Sequence, residues 1–227
     1  MNRLLRPSRV AAALATFVAL AACSETSTAP VAPDEAATVQ LSATEVVTAG
    51  TRANAARPSA SIVAASPTAA TTTTTTTTST SVVGCTGTVV VLTADEKRTL
   101  DLHNQQRALS RLTPFCVHPA LTAAARAHSQ DMLAKGYFSH TSLNGDTFVT
   151  RVVRAGYTGW RALAENIAWG SGTYGAPDRI FTNWMNSAGH KANIVNGTLR
   201  EIGIGVATGT YRSYAGARMY TVDFGTR

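Results

Sequence analysis

Charge is scarce in this 227-residue chain, at 15% Asp, Glu, Lys and Arg, and it never gathers, since the longest basic cluster is Lys97-Arg98. No Lys/Arg stripe with interleaved aromatics appears, so the excess of 20 basic over 13 acidic residues gives nucleic acid no footing as a partner and licenses only a weak attraction to acidic surface material. Cysteine is limited to three residues with no Cys-x-x-Cys pair, which excludes a disulfide-dense miniprotein and a structural zinc knuckle. No apolar run approaches the roughly 20 residues that span a bilayer. Also missing are a repeat with a period of 20 to 50 residues, a G-x-S-x-G nucleophile elbow and an H-E-x-x-H helix. What is present is 44% hydrophobic residues, so the chain as a whole is not disordered. That average conceals three compositions joined end to end.

Arg3, Arg6 and Arg9 precede a thirteen-residue apolar stretch, Val10 to Ala22, which has the length of a signal-peptide core. Leu20-Ala21-Ala22-Cys23 resembles the bacterial lipobox: small residues lie extended in a peptidase site and the Cys23 thiol takes the diacylglycerol. Residues 1–22 are then a lipoprotein signal peptide, and the mature chain begins at acylated Cys23 with enough acyl chain for stable anchoring. Cleavage by an ordinary signal peptidase, leaving a free thiol, is the alternative. Residues 23–84 read as a disordered tether. Of the 61 residues from 24 to 84, 38 are Thr, Ser or Ala, none is aromatic, and Thr71 to Thr78 is unbroken. Such a segment buries too little apolar surface to offset its ordering entropy, and as a coil it reaches roughly 45 Å. The chain is therefore expected in the cell envelope, membrane-anchored or secreted.

The remaining stretch, 85–227, holds every Trp, Tyr and His and is long enough for one packed core. Export implies an oxidising compartment, so a Cys85–Cys116 bridge is expected, with two separate buried thiols as the alternative. Thr93-Ala94-Asp95-Glu96 is a capping box that opens a helix to about Leu112, with Leu92 as its staple and Pro114 as its stop. Pro119 opens a second helix, which Gly136 closes. A third runs from Phe148 to Ala155, and a fourth starts at Pro177. Another one or two turns follow from His190. Residues 165–169, 202–206 and 219–224 have strand composition. Four helices with a small antiparallel sheet make an α+β fold.

Five segments in order then resemble the CAP superfamily, the cysteine-rich secretory, antigen 5 and pathogenesis-related type, in its compact bacterial form. They are His103-Asn104-Gln105-Gln106-Arg107, Ala127 to Met132, Tyr137-Phe138-Ser139-His140, Glu165-Asn166-Ile167-Ala168, and Trp184 to Ile194. The resemblance implies a three-layer α-β-α sandwich over about residues 97–225. It also implies a cavity that, in eukaryotic members, presents two histidines and two acids to a divalent metal. Carried over, these fall on His140, His190 and Glu165, but the second acid's place is taken by Ser187. Lipid or sterol binding in some members and proteolysis in isolated ones belong to the same resemblance, and neither transfers by fold.

His140, Glu165 and His190 lie 25 residues apart in turn, so no one helix presents them together. Burial of Phe138, Ile167 and Trp184 is expected to draw these polar neighbours, with Asn166 and Ser187, to one rim. Two imidazoles and a carboxylate would hold zinc or another divalent ion weakly at an open site; a structural hydrogen-bond cluster and a hydrolytic site are the alternatives. His128 reads as a core histidine, and Asn104 and Arg107 as locks between helix and loops. The leading expectation is a non-enzymatic surface module that takes a lipid, cell-wall or protein ligand. A metal-dependent hydrolase of peptide or cell-wall substrates, using His140, Glu165 and His190, and a purely structural adhesion module are the competing readings.

Overall fold

The computed structural model describes residues 39–43, 46–49 and 80–227; the signal-peptide and Cys23 expectations fall outside them. In chain order the strands and helices are β1 (Val39–Ala43), β2 (Val47–Thr48), β3 (Thr80–Val83), β4 (Val89–Leu92), α1 (Ala94–Leu109), β5 (Cys116–Val117) and α2 (Pro119–Lys135). After these come α3 (Phe148–Arg154), β6 (Ala162–Gly170), α4 (Pro177–Met185), α5 (Ala188–Ile194), β7 (Glu201–Tyr211) and β8 (Tyr214–Thr226). One sheet has the order β1-β6-β8-β7-β5, with β2 also on β6. Its pairs are antiparallel except for the parallel β5–β7 contact. Strands β3 and β4 form a separate hairpin.

Alternation along the strands sorts side chains into two helical layers. Ile202, Ile204, Val222 and Phe224 pack with Leu100, Ile180, Phe181, Trp184 and Ile194, so α1, α4 and α5 cover one face. The other face carries Leu163, Ile167, Met219 and Ala207, which pack with Leu121 and Met132 of α2. Gly203 and Gly205 set how closely α2 can lie. A Cβ at either would run into the α2 backbone, at Leu121–Thr122 and at Ala125–Arg126 respectively. The result is the three-layer α-β-α sandwich.

Local chemistry fixes the helix ends where the sequence marks them. Thr93 and Glu96 complete the capping box of α1, Pro119 sits in the first turn of α2, and Gly136 takes φ 69° at its end. Helix α1 stops at Leu109, three residues before the expected end, because the Ser110, Arg111 and Leu112 amides turn back onto Gln106, Ala108 and Arg107 carbonyls. Cys85 and Cys116 are bonded, with Cα atoms 5.3 Å apart, tying the β3–β4 hairpin to β5. Closing that loop contributes about 3–4 kcal/mol in the chain-entropy picture. Asn104 locks α1 to the following loop by exchanging two hydrogen bonds with the Phe115 backbone.

The expected tether 23–84 needs correction at three places. Residues 39–43 and 47–48 add antiparallel strands to β6, and residues 80–83 pair with β4. A short Thr/Ala/Ser-rich strand cannot stand alone, but the edge of β6 supplies a ready row of backbone donors and acceptors.

Candidate functional site

Glu165 lies mid-strand in β6 and faces the α2 layer, directly across from Asp223 of β8, which in turn faces Gly203 of β7. His140 reaches it from the loop after α2, where Tyr137 and Phe138 pack against the Met132–Ile167–Trp169 cluster. Arg151 arrives from α3, whose first turn Thr147 caps. The Nδ1–H of His140 donates to Glu165 Oε1 at 2.7 Å, and Arg151 Nη2 donates to Oε2 at 2.6 Å. Arg151 Nη1 also holds the His140 and Asp146 carbonyls, at 2.7 and 3.1 Å. One guanidinium thus fixes both the carboxylate and the loop that brings the imidazole to it. His128, fully buried on α2, donates from Nε2 to the Ser139 carbonyl at 2.9 Å, so it is the satisfied core histidine expected.

Electrostatics divides the two cross-strand carboxyls. Burial alone would raise Glu165, but the His140 hydrogen bond and the Arg151 charge outweigh it and hold Glu165 below the usual range. At Asp223 the Arg151 charge acts the same way but is outweighed. Burial, reinforced by the Glu165 charge opposite, raises it well above the ordinary value, which favours its neutral form beside the Glu165 carboxylate. His128 is pushed down to about 4, chiefly by burial.

The other sequence-predicted residues lie in the opposite layer. Asn166, next to Glu165, faces the α1/α4/α5 side, where its Nδ2 donates to the His190 carbonyl at 3.2 Å and its Oδ1 accepts from Asn193 at 2.9 Å. His190 Nδ1 is hydrogen-bonded to Ser187 Oγ at 2.7 Å. So the structure brings His140 to Glu165, and it groups His190, Ser187 and Asn166 separately. The expected common rim is split because its anchors are split. Phe138 and Ile167 belong to the cluster under α2, whereas Trp184 belongs to the other core.

This arrangement does not fit the metal centre that the resemblance implies. Both Glu165 oxygens are engaged, one by a guanidinium that puts a fixed cation where a divalent ion would need to sit. Among the described residues no three His, Cys, Asp or Glu side chains are gathered to hold a metal ion. Arg151 and Asp223 are the two residues of the cluster that sequence reasoning missed. The available signal for Asp223 was a carboxylate set between the apolar Val222 and Phe224 of a strand. Arg151, beside Val152 on a short helix, reads from sequence as a solvated charge.

With that geometry in place, the comparisons agree with the fold. The profile of the CAP family, the cysteine-rich secretory protein family, matches residues 100–224, and the chain belongs to this family. It is 36% identical over 115 residues to the uncharacterized protein YkwD of Bacillus subtilis, covering 50% of this chain and 43% of that protein. With the uncharacterized membrane protein YlbC of the same organism it shares 30% identity over 116 residues, covering 51% and 32%. The chain therefore spans less than half the length of these curated relatives. An outer surface protein of Borrelia burgdorferi superposes with a TM-score of 0.52 at 22% identity, covering 59% of this chain and 92% of that one, a likeness of fold alone. Among the described residues no helix is long and apolar enough to cross a membrane.

Proposed function

We propose that the chain is an exported, lipid-anchored protein that displays its CAP domain at the cell envelope as a binding module, not as a hydrolase. The observation that carries the second half is the engagement of Glu165. A general base needs a carboxylate lone pair free to take a proton from water or substrate. Here His140 and Arg151 each donate to one oxygen inside a desolvated layer and hold the carboxyl below its usual range, which makes Glu165 a weak proton acceptor and a structural anion. Ser187 and His190 form a close hydroxyl–imidazole pair with the spacing of a nucleophile and its base. Phosphonylation of Ser187 by a fluorophosphonate probe, blocked in His190→Ala, would replace the binding-module reading with an acyl-transfer one.

The first half rests on the lipobox and the long Thr/Ala/Ser-rich segment behind it. Cys23→Ala is expected to move the protein from the membrane pellet to the soluble fraction, and mass spectrometry of the wild-type amino-terminal peptide to show a diacylglyceryl thioether. Wild-type protein with an unmodified Cys23 overturns the anchor.

A further inference from the structure

Charge that is dispersed along the sequence is gathered by the fold. Of the nine carboxylates in residues 85–227, eight are ion-paired with a Lys or Arg, and the ninth, Asp223, is buried. Six exposed cations are left with no carboxylate partner among the described residues: Arg111, Arg161, Arg179, Lys191, Arg200 and Arg212. Three of the six meet at one end of the sheet. Arg161 precedes β6 and Arg200 precedes β7, where β8 runs out at Thr226. Their amides donate to the Thr226 and Gly225 carbonyls at 2.8 and 2.9 Å. Arg111 joins them because Leu112 lies against Gly197 and Arg107 ties the end of α1 to the Asn196 and Leu199 carbonyls. With Arg107 and Arg227 this end carries five arginines. Against them stand Glu201, already held by Arg227 and Tyr157, and the α-carboxylate of Arg227.

We infer that this end of the sandwich is a docking surface for an anionic phospholipid membrane, met through its phosphate headgroups. Guanidinium forks match phosphate oxygens, and each basic side chain near an anionic leaflet adds to the attraction. The spread of the charge decides between a surface and a single small anion. Arg200 stands beside buried Arg107 in the α1/α5 layer, whereas Arg227 lies over Tyr157, which packs in the α2/α3 layer. Cations divided between two layers do not converge on one phosphate, but a plane of headgroups meets them all. Chain length allows the approach. Sixteen residues separate Cys23 from Val39, which pairs with Gly170 at the other end of β6. Extended, they reach roughly 55 Å, beyond the roughly 30 Å that a strand of this length spans, so the tether does not hold the basic end off the membrane. The inference rests on the anchored reading for this access. Its test carries no acyl chain, so a failure here and a failure of the Cys23 anchor are separate results.

The test is co-sedimentation of the chain from residue 23 onward, carrying Cys23→Ser, with phosphatidylcholine vesicles that do or do not contain phosphatidylglycerol. Binding to the anionic vesicles in low salt is expected, with none to pure phosphatidylcholine. Release is expected at about 1 M salt, where the screening length falls to about 3 Å. Arg161→Gln with Arg200→Gln takes two cations from this end and is expected to weaken binding at least tenfold. The melting temperature should not change, because neither side chain has an ion-pair partner. Arg179→Gln with Arg212→Gln removes the same charge from α4 and the β7–β8 turn and should leave binding within about twofold. Arg111→Gln with Arg200→Gln replaces the first pair if that variant folds poorly. Absence of binding to the anionic vesicles overturns the inference. So does equal binding to pure phosphatidylcholine, or equal weakening by the Arg161/Arg200 and Arg179/Arg212 variants. Tighter binding to soluble polyphosphate than to the vesicles overturns it as well and makes a phosphate polymer the partner.

Discussion

Arg151→Met is expected to destabilise the domain by about 3–5 kcal/mol, the usual cost of removing one partner from a buried ion pair. Glu165 is fully buried and Arg151 nearly so, and the substitution leaves a buried carboxylate without its guanidinium. It also frees the loop carbonyls of His140 and Asp146 that Arg151 now ties down. Denaturant unfolding at neutral pH measures the loss, and Arg151→Met combined with Glu165→Gln is expected to cost less than the two changes summed. The pH dependence follows from the lowered Glu165 value. Its contribution is fully present above the ordinary glutamate pKa and disappears as pH falls through the lower folded value. In Arg151→Met the folded value rises toward the ordinary one, so the acid loss from Glu165 should be smaller than in the wild type and complete at a higher pH. Equal unfolding midpoints for the two proteins would show that the ion pair holds nothing.

Arg107→Ala is the second large effect, at about 4 kcal/mol. This guanidinium is completely buried over the Phe115 ring, 3.8 Å from its centroid. It donates to the carbonyls of Thr113, Ile194, Asn196 and Leu199 at 2.7–3.1 Å. Burial lowers its pKa to about 10, with Arg200 adding to the effect, so the charge persists at neutral pH. Truncation strands buried carbonyls at a typical cost of about 1–3 kcal/mol each, and it unhooks the end of α5 and the loop before β7 from α1. Arg107→Lys should recover only part, because one ammonium cannot span four acceptors in two chain segments. A loss below about 1 kcal/mol in chemical denaturation would contradict this role.

Much of the fold was legible because its signals are local. Thr93 and Glu96 cap α1, Pro119 and Gly136 bracket α2, and the domain's two cysteines make one bridge. Asn104 and Arg107 were readable as locks because polar residues three apart on a helix need partners off the helix. The β1 strand was not legible, because its stability comes from the β6 edge and not from its own composition. The site was half legible for a related reason. Adjacent residues in a strand face opposite layers, so Glu165 and Asn166, read as one motif, serve different clusters. Arg151 and Asp223 act only through long-range packing, which puts a helix cation and a strand acid beside one carboxylate. No spacing rule encodes that arrangement.

Zinc titration of the purified full chain at neutral pH, followed by calorimetry, tests most directly whether Glu165 is a structural anion. With Arg151 and His140 holding both of its oxygens, no saturable one-to-one binding is expected, and His140→Ala should give the same flat trace. One zinc bound per chain in the wild type, lost in His140→Ala with the fold intact, would show that Arg151 yields the carboxylate to a metal and would contradict this reading of the site.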